Sequence, residues 1–341
     1  MRKTVGWKPK SGSKDVASVR FRCLSPMEEL QRSGFEIELY SEESDAADRY
    51  AAVIFSKLYS AADQKLAEKL RAKSVKTILD LSDNHFYNPN NLPEYVTAAA
   101  NMRKMSELVD RVICCSSHLA QVVSQEAKLR RPPLVVGDAV EQMILPLDAP
   151  SPFAERGKNP FRILWFGSHG SPNAPAGMED ILRIRTHLQA AHAKTNSELT
   201  VLSNNAEKYR ALEPKIGIPS TYLEWSDGTL MSALAKTNLV VIPVSVNPFT
   251  KCKSNNRAVT ALWHGVPLIA DRIPAYEDLR NFLFLDDWEA GFKHALAGSR
   301  EIQIRTTAGS VYVRQNFNIS RIAGEWRRAL KTVLAEPVPA R

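Results

Sequence analysis

Between Leu239 and Leu279 the chain reads LVVIPVSVNPFTKCKSNNRAVTALWHGVPLIADRIPAYEDL: a buried strand, a basic loop, a short helix, a Gly turn and a second strand. The loop gathers Lys251, Lys253 and Arg257 where the helix begins. Three cations beside the unpaired N–H groups of a helix start form a site for a doubly charged phosphate. Ser254 suits the N-cap, which would aim the N–H groups of Asn255 to Arg257 at a ligand. Asn256 and Thr260, one turn apart, share a helix face and could meet the same ligand. Ala258, Val259, Leu262 and Trp263 carry the core side, and Gly265 ends the helix as a left-handed cap. The plain alternative is a solvated basic loop before an ordinary capped helix.

Asp83 and His85 follow the apolar run Thr77-Ile-Leu-Asp-Leu, where parallel sheets present their ligands. They are the acid–base candidates; alternatively Asp83 is a turn residue and His85 a polar surface group. Ser116-Ser117-His118 ends another strand, with Ser117 the expected N-cap of the next helix. Trp225 either stacks on a planar ligand or packs. Gly167 allows close backbone approach to a ligand.

Strand-like and helix-like segments alternate throughout, which argues for parallel sheets covered by helices. The first half offers strands at 4–7, 36–40, 52–56, 77–81, 111–115 and 134–136, with helices at 26–33, 61–72, 92–108 and 118–127. Met102 and Met105 recur at helical spacing and read as core. The proline-rich stretch 143–160 breaks the rhythm and reads as a linker. Strands then recur at 162–166, 199–202, 221–224, 239–243, 267–270 and 282–285. Helices are expected at 175–193, 230–237, 255–264, 288–297 and 319–334. The expected organisation is a first Rossmann-like domain over 1–145, a linker over 146–160, and a second over 161–341 that includes the terminal helices. The two are expected to face each other across a cleft.

The 341 residues suffice for two domains. Hydrophobic residues make up 44% and charged residues 24%, as in soluble globular proteins. No apolar run approaches the roughly 20 residues of a membrane span, and the basic start MRKTVGWKPKSGSK has no apolar h-region. Cys23, Cys114, Cys115 and Cys252 lack metal-ligand spacing and read as reduced thiols of a cytoplasmic protein. Net charge is +8, which suits anionic partners, including peripheral contact with the inner face of an anionic membrane. No nucleic-acid-binding motif is present. No G-x-G-x-x-G follows a strand, which argues against a dinucleotide oxidoreductase.

The order strand, basic loop, N-R-x-x-x-A-x-x-x-G-x-P, strand around Asn256 to Pro267 resembles the donor-binding segment of GT-B nucleotide-sugar glycosyltransferases. It is most similar to the large bacterial group that makes polysaccharides and glycolipids. Arg162-Ile-Leu-Trp-Phe-Gly-Ser168 resembles the opening strand and Gly turn of that family's C-terminal domain. Trp288, Val311–Phe317 and Ile322–Leu330 resemble its terminal helices. The resemblance implies a retaining, metal-independent hexosyltransferase with no cofactor, a nucleotide-sugar donor and a glycan or lipid-linked acceptor. It implies donor contacts from Gly167, Ser168, Trp225, Lys251, Lys253, Asn256, Arg257 and Thr260, with Asp83 and His85 at the reaction centre. Metal-using relatives hold the cation on a DxD carboxylate pair; Asp286 and Asp287 are adjacent, and Asp287 reads as a helix cap. Two positions depart from the family. Thr260 stands where many relatives carry a ribose-binding Glu, and Gly167–Asn173 lacks the relatives' Arg and Lys. Lys251, Lys253 and Arg257 would take over that clamp. The rival reading is a degenerate GT-B module that binds nucleotide or glycan without turnover.

Overall fold

The computed structural model describes residues 4–13, 16–42, 46–140 and 160–337. The linker expected at 146–160 therefore lies, apart from Pro160, outside the described residues. Contacts divide the chain into two compact units. The first comprises Met1–Ala139, Lys251–Ser254 and Phe317–Arg341; the second comprises Val140–Thr250 and Asn255–Asn316.

The first unit holds a six-stranded sheet in the order β2-β1-β3-β4-β5-β6. Its strands are β1 (Thr4–Pro9), β2 (Ile37–Leu39), β3 (Tyr50–Ser56), β4 (Lys76–Leu81), β5 (Arg111–Cys114) and β6 (Leu134–Val135). All pair in parallel. Every residue of β4 is buried, as expected of a strand covered on both faces. The covering helices are α1 (Ala17–Val19), α2 (Ser25–Arg32), α3 (Ala46–Arg49), α4 (Ala61–Ala72), α5 (Pro93–Leu108) and α6 (Ser117–Glu126). A π-helical segment, Arg20–Leu24, joins α1 to α2. Met102 and Met105 are fully buried, as their spacing implies.

The second sheet runs β12-β11-β10-β7-β8-β9, again all parallel. Its strands are β7 (Arg162–Phe166), β8 (Glu198–Ser203), β9 (Ser220–Glu224), β10 (Leu239–Ile242), β11 (Leu268–Ala270) and β12 (Phe284–Leu285). Around it lie α7 (Arg185–Thr195), α8 (Ala206–Ile216), α9 (Asp227–Lys236), α10 (Asn256–Trp263), α11 (Trp288–Leu296) and α12 (Arg300–Asn316). The single helix expected over 175–193 is a 3-10 segment, Met178–Ile184, followed by α7. Gly177, at φ 96°, delays its start, and the Asp180 carboxylate receives the Gly177 N–H. In this unit α8, which carries an internal proline, Pro214, goes unread in the sequence, and of α12 only the end, within Val311–Phe317, is anticipated.

The last helix, α13 (Ile319–Ala335), packs on α2 of the first unit, whereas the sequence suggests that it closes the second domain. Its apolar stripe explains the choice. Ile322, Ala323, Trp326, Ala329, Leu330 and Val333 are buried in one cluster with Val5, Trp7 and Ile54. The Trp326 ring meets Trp7 edge-on at a centroid separation of 4.7 Å, and the Arg22 guanidinium lies 5.1 Å from the Trp326 ring. Removing such a fully buried indole forfeits its transfer energy and leaves a cavity. Trp326→Ala should lower the unfolding free energy of the first unit by about 3–5 kcal/mol; an unchanged midpoint in urea would refute this docking of α13.

Candidate functional site

In an open parallel sheet, ligands bind beyond the strand carboxyl ends where the strand order reverses. In the second unit that reversal lies between β7 and β10. Beyond β7 stands Gly167, whose N–H donates to Leu202 O at 3.1 Å and whose carbonyl accepts from Ser203 Oγ at 2.7 Å. A Cβ added to Gly167 would lie 3.2 Å from Arg257 Nη1 and 3.3 Å from Arg257 Cδ. A side chain here would press on Arg257 more tightly than ordinary van der Waals contact, so glycine leaves the guanidinium its place.

Arg257 stands in the first turn of α10. Its guanidinium is hydrogen-bonded to the hydroxyl of the buried Tyr276, whose pKa burial pushes up. No carboxylate pairs with Arg257 among the described residues. Contrary to the expectation from the sequence, Ser254 does not cap this helix: the cap position is Asn255, without a side-chain hydrogen bond. The Ser254 hydroxyl instead donates to Asp138 at 2.6 Å in the first unit. The start of α10 thus keeps orphan N–H groups for water or a ligand. Beside them, Asn256 Nδ2 is buried without a hydrogen-bond partner. Thr260, one turn on, is 4% exposed, and Gly265 takes the expected left-handed conformation at φ 65°.

The loop after Gly167 is held from several sides. His169 N and Nδ1 lie 3.4 and 2.9 Å from Asn204 Oδ1. Ser168, exposed, shares hydrogen bonds with the Gly170 backbone. Gly170 (φ 146°) and Gly177 (φ 96°) pack so tightly that a Cβ on Gly177 would fall 2.6 Å from Gly170 N. Asp180 accepts from Ser245 N at 3.0 Å, tying the start of the 3-10 segment to the end of β10. Asp271 accepts from Val244 N at 2.7 Å and from Trp288 Nε1 at 2.8 Å. Lys208 borders the loop too, 3.2 Å from where a Gly170 Cβ would lie and 3.1 Å from Glu179. Trp225 is half-buried, its N–H on Ser203 O at 2.7 Å. Sequence reasoning missed Lys208 because it missed α8. It missed Tyr276 because only the fold brings that residue to Arg257.

The remaining candidates belong to the first unit, as do Lys251 and Lys253 by the division of contacts. Lys251 is exposed. Lys253 Nζ pairs with one oxygen of Asp83, and Lys57 Nζ with the other. These lysines hold the Asp83 carboxyl well below its usual range against the opposing effect of burial, so it stays ionised, with a cation on each oxygen. His85 Nδ1 is hydrogen-bonded to the Tyr59 hydroxyl, and its ring meets Tyr95 edge-on at 5.7 Å. Ser116, not the expected Ser117, caps α6 by accepting from Leu119 N at 3.2 Å; it also donates to Cys252 O at 2.8 Å. Asp287 caps α11 as expected. Among the described residues no cluster of three or more His, Cys, Asp or Glu could hold a metal ion, and no helix is long and apolar enough to cross a membrane.

Burial lowers the pKa of both His85 and His264 to about 4. For His85 the nearby Asp83 opposes the shift and Lys57, Lys253 and Lys10 reinforce it; for His264 Arg314 reinforces it. Both imidazoles fold neutral. Unfolded chains protonate them near 6.5, so this stability is complete above that pH and falls as pH drops towards 4. Melting temperature should therefore decline between pH 6.5 and 4, and His264→Phe should flatten the decline. An identical pH profile in the variant would remove His264 from the account.

No protein-family model matches the chain, and no curated protein does. Solved structures do match. The crystal structure of Anabaena HepE in complex with UDP superposes with a TM-score of 0.68 at 13% identity, over 96% of this chain and 100% of that one. HepE in complex with UDP-glucose gives 0.68 at 12% identity, over 96% and 99%. Sucrose-phosphate synthase from Thermosynechococcus elongatus gives 0.68 at 14% identity, over 98% and 100%. The fold is thus the GT-B fold of two Rossmann-like units, as the sequence suggested.

Proposed function

We propose that this chain is a glycosyltransferase that moves a sugar from a nucleoside-diphosphate sugar to a glycan or lipid-linked acceptor. The observation that carries the reading is Arg257, unpaired by any described carboxylate and laid against Gly167 at the β7/β10 switch point. Structural neighbours that hold UDP and UDP-glucose make a uridine donor the first to test.

The diphosphate seats at the start of α10, where orphan N–H groups, Arg257 and the Asn256 amide converge on its oxygens. Lys208 supplies a second cation from the far side of the Gly167–Gly170 loop. Thr260, on the same face as Asn256, reaches the ribose, and Trp225 flanks the base. As the bond from the anomeric carbon to the diphosphate oxygen breaks, negative charge collects on the leaving group. Fixed donors that need not reorganise stabilise that charge, usually the largest single catalytic term. In this reading the donors replace a metal. Asp83, paired through both oxygens and held well below its usual pKa, is too weakly basic for a general base role. Retention needs none: the acceptor oxygen attacks the face the diphosphate leaves, and its proton passes to a diphosphate oxygen. Asp83 then serves the acceptor side, in the first unit, as a fixed anion, and His85, neutral at pH 7, as a hydrogen-bonding wall there.

Thr260 favours a second reading, a module that binds nucleotide without turnover, because relatives use a Glu there for the ribose. Release of UDP from UDP-glucose, with or without acceptor, separates the two. Arg257→Ala should weaken UDP binding by at least about tenfold, the worth of roughly 1.4 kcal/mol, with Arg257→Lys between. EDTA should leave turnover unchanged. Wild-type UDP affinity in Arg257→Ala would remove the observation on which the proposal stands.

A further inference from the structure

The first sheet has a switch point of its own. β1 lies between β2 and β3, so the chain leaves β1 to one side for β2 and returns across it for β3. That topology opens a crevice beyond the carboxyl ends of β1 and β3. The residues immediately past those ends are Lys10 and Lys57.

Lys57 is held in the left-handed region at φ 56°, a conformation unfavourable for a non-glycine residue. Its N–H donates to Asp80 O at 2.9 Å, which fixes the turn. Its ammonium contacts Asp83 with one of three protons, leaving the others to be directed elsewhere. Lys10 is exposed and has no ion-pair partner among the described residues. Between the two lies a cavity of about 10 Å³ bordered also by Ser18, Arg22, Ser56 and Asp80, room for one oxygen-sized group.

Several lining groups are already committed. Arg22 holds Asp80, Asp138 and the carbonyls of Val136 and Gly137. Ser56 accepts from Trp7 Nε1 at 2.8 Å and donates to Asp80 at 3.0 Å. Lys10, the remaining Lys57 protons and the Ser18 hydroxyl are the donors left over. They are point donors from different directions rather than a planar fork. That arrangement suits a tetrahedral oxyanion better than a flat carboxylate. Charge agrees: Lys10, Lys57, Lys253 and Arg22 stand around Asp80, Asp83 and Asp138, four cations to three carboxylates. Lys10, Lys57 and Lys253 also act together on His85, where each disfavours the imidazolium.

We infer that the first unit binds a phosphate monoester at Lys10, Lys57 and Ser18, with one oxygen in the cavity, and that the acceptor carries this phosphate. Its being the acceptor's phosphate rests on the glycosyltransferase reading; the binding itself does not. A small phosphorylated alcohol and a phospholipid headgroup share this chemistry.

The test uses the full chain and, as probe, glycerol 3-phosphate followed by calorimetry, with glycerol as control. A parallel arm measures sedimentation with phosphatidylcholine vesicles containing or lacking phosphatidic acid. Titrations are repeated in Arg257→Ala, so that phosphate bound at the second unit is not counted. Binding of glycerol 3-phosphate should weaken at least about tenfold in Lys10→Ala, the value of one lost charge contact of roughly 1.4 kcal/mol, and be lost in Lys10→Glu. Both substitutions change an exposed side chain, so the fold should hold. UDP affinity should not change in either. Capture by phosphatidic acid vesicles without binding of the soluble probe, if lost in Lys10→Glu, would identify a headgroup as the source. Phosphate binding equal in wild type, Lys10→Ala and Lys10→Glu, or absent from both arms, would overturn the inference. Failure of UDP to bind with Lys10-dependent phosphate binding intact would overturn the donor reading alone.

Discussion

A parallel sheet buried on both faces can place its polar loops only at its two edges, and only one edge collects the strand carboxyl ends. Both sheets of this protein obey that constraint throughout. It explains why chemistry-bearing residues cluster just past strands: Lys10 after β1, Lys57 after β3, Asp83 and His85 after β4, Ser116 after β5, Gly167 after β7. Buried backbone groups in the strands are spent on the ladder, so unpaired donors can gather only at these ends. The order of the strands then selects where along the edge a crevice opens.

Around those ends the first unit spends heavily on buried charge. Arg22, 1% exposed, comes from the π-helical segment and joins the end of β4 to residues 136–138 through Asp80, Asp138 and two carbonyls. The burial opposes its charge, but the two carboxylates more than compensate. Such pairs add little net stability against an apolar core, yet removing one partner is costly because the other is left alone in low dielectric. Their effect here is geometric. Ser254 on Asp138, Lys253 on Asp83 and Ser116 on Cys252 fasten the stretch 251–254 to the first unit, while the chain from Asn255 onward builds the second.

That fastening also marks the limit of what the sequence discloses. Strands were legible because β3 and β10 are nearly continuous apolar runs, β4 centres on Ile78, Leu79 and Leu81, and β7 lies where the pattern puts it. The segment around α10 was legible because its apolar face, Gly265 and Pro267 are local signals. Ser254 as a cap was a local inference overruled by Asp138, more than a hundred positions away in sequence. Lys253 looked like a free phosphate ligand for the same reason: no local pattern reveals Asp83 as its partner. The Trp326 stripe was readable as amphipathic, but not which sheet it would cover. Long-range pairing, not propensity, separates the legible part from the rest.

Charge compensation offers the final step. Among the described residues, Arg22, Arg111, Lys57 and Lys253 each meet a carboxylate. Arg257 and Lys10 do not, and each stands at the switch point of its own sheet. Arg257 is half-buried and steered by Tyr276 over a glycine, so its guanidinium is held in place at an entropic cost that a surface arginine avoids. A fixed cation without a protein counter-ion is strained electrostatically until an anion arrives, and the energy released on arrival is affinity. Lys10 is exposed and adds charge rather than a fixed position, but an unpaired cation in each unit still favours a protein whose two ligands are both anionic. A nucleoside diphosphate at one and a phosphorylated acceptor at the other meet that requirement together.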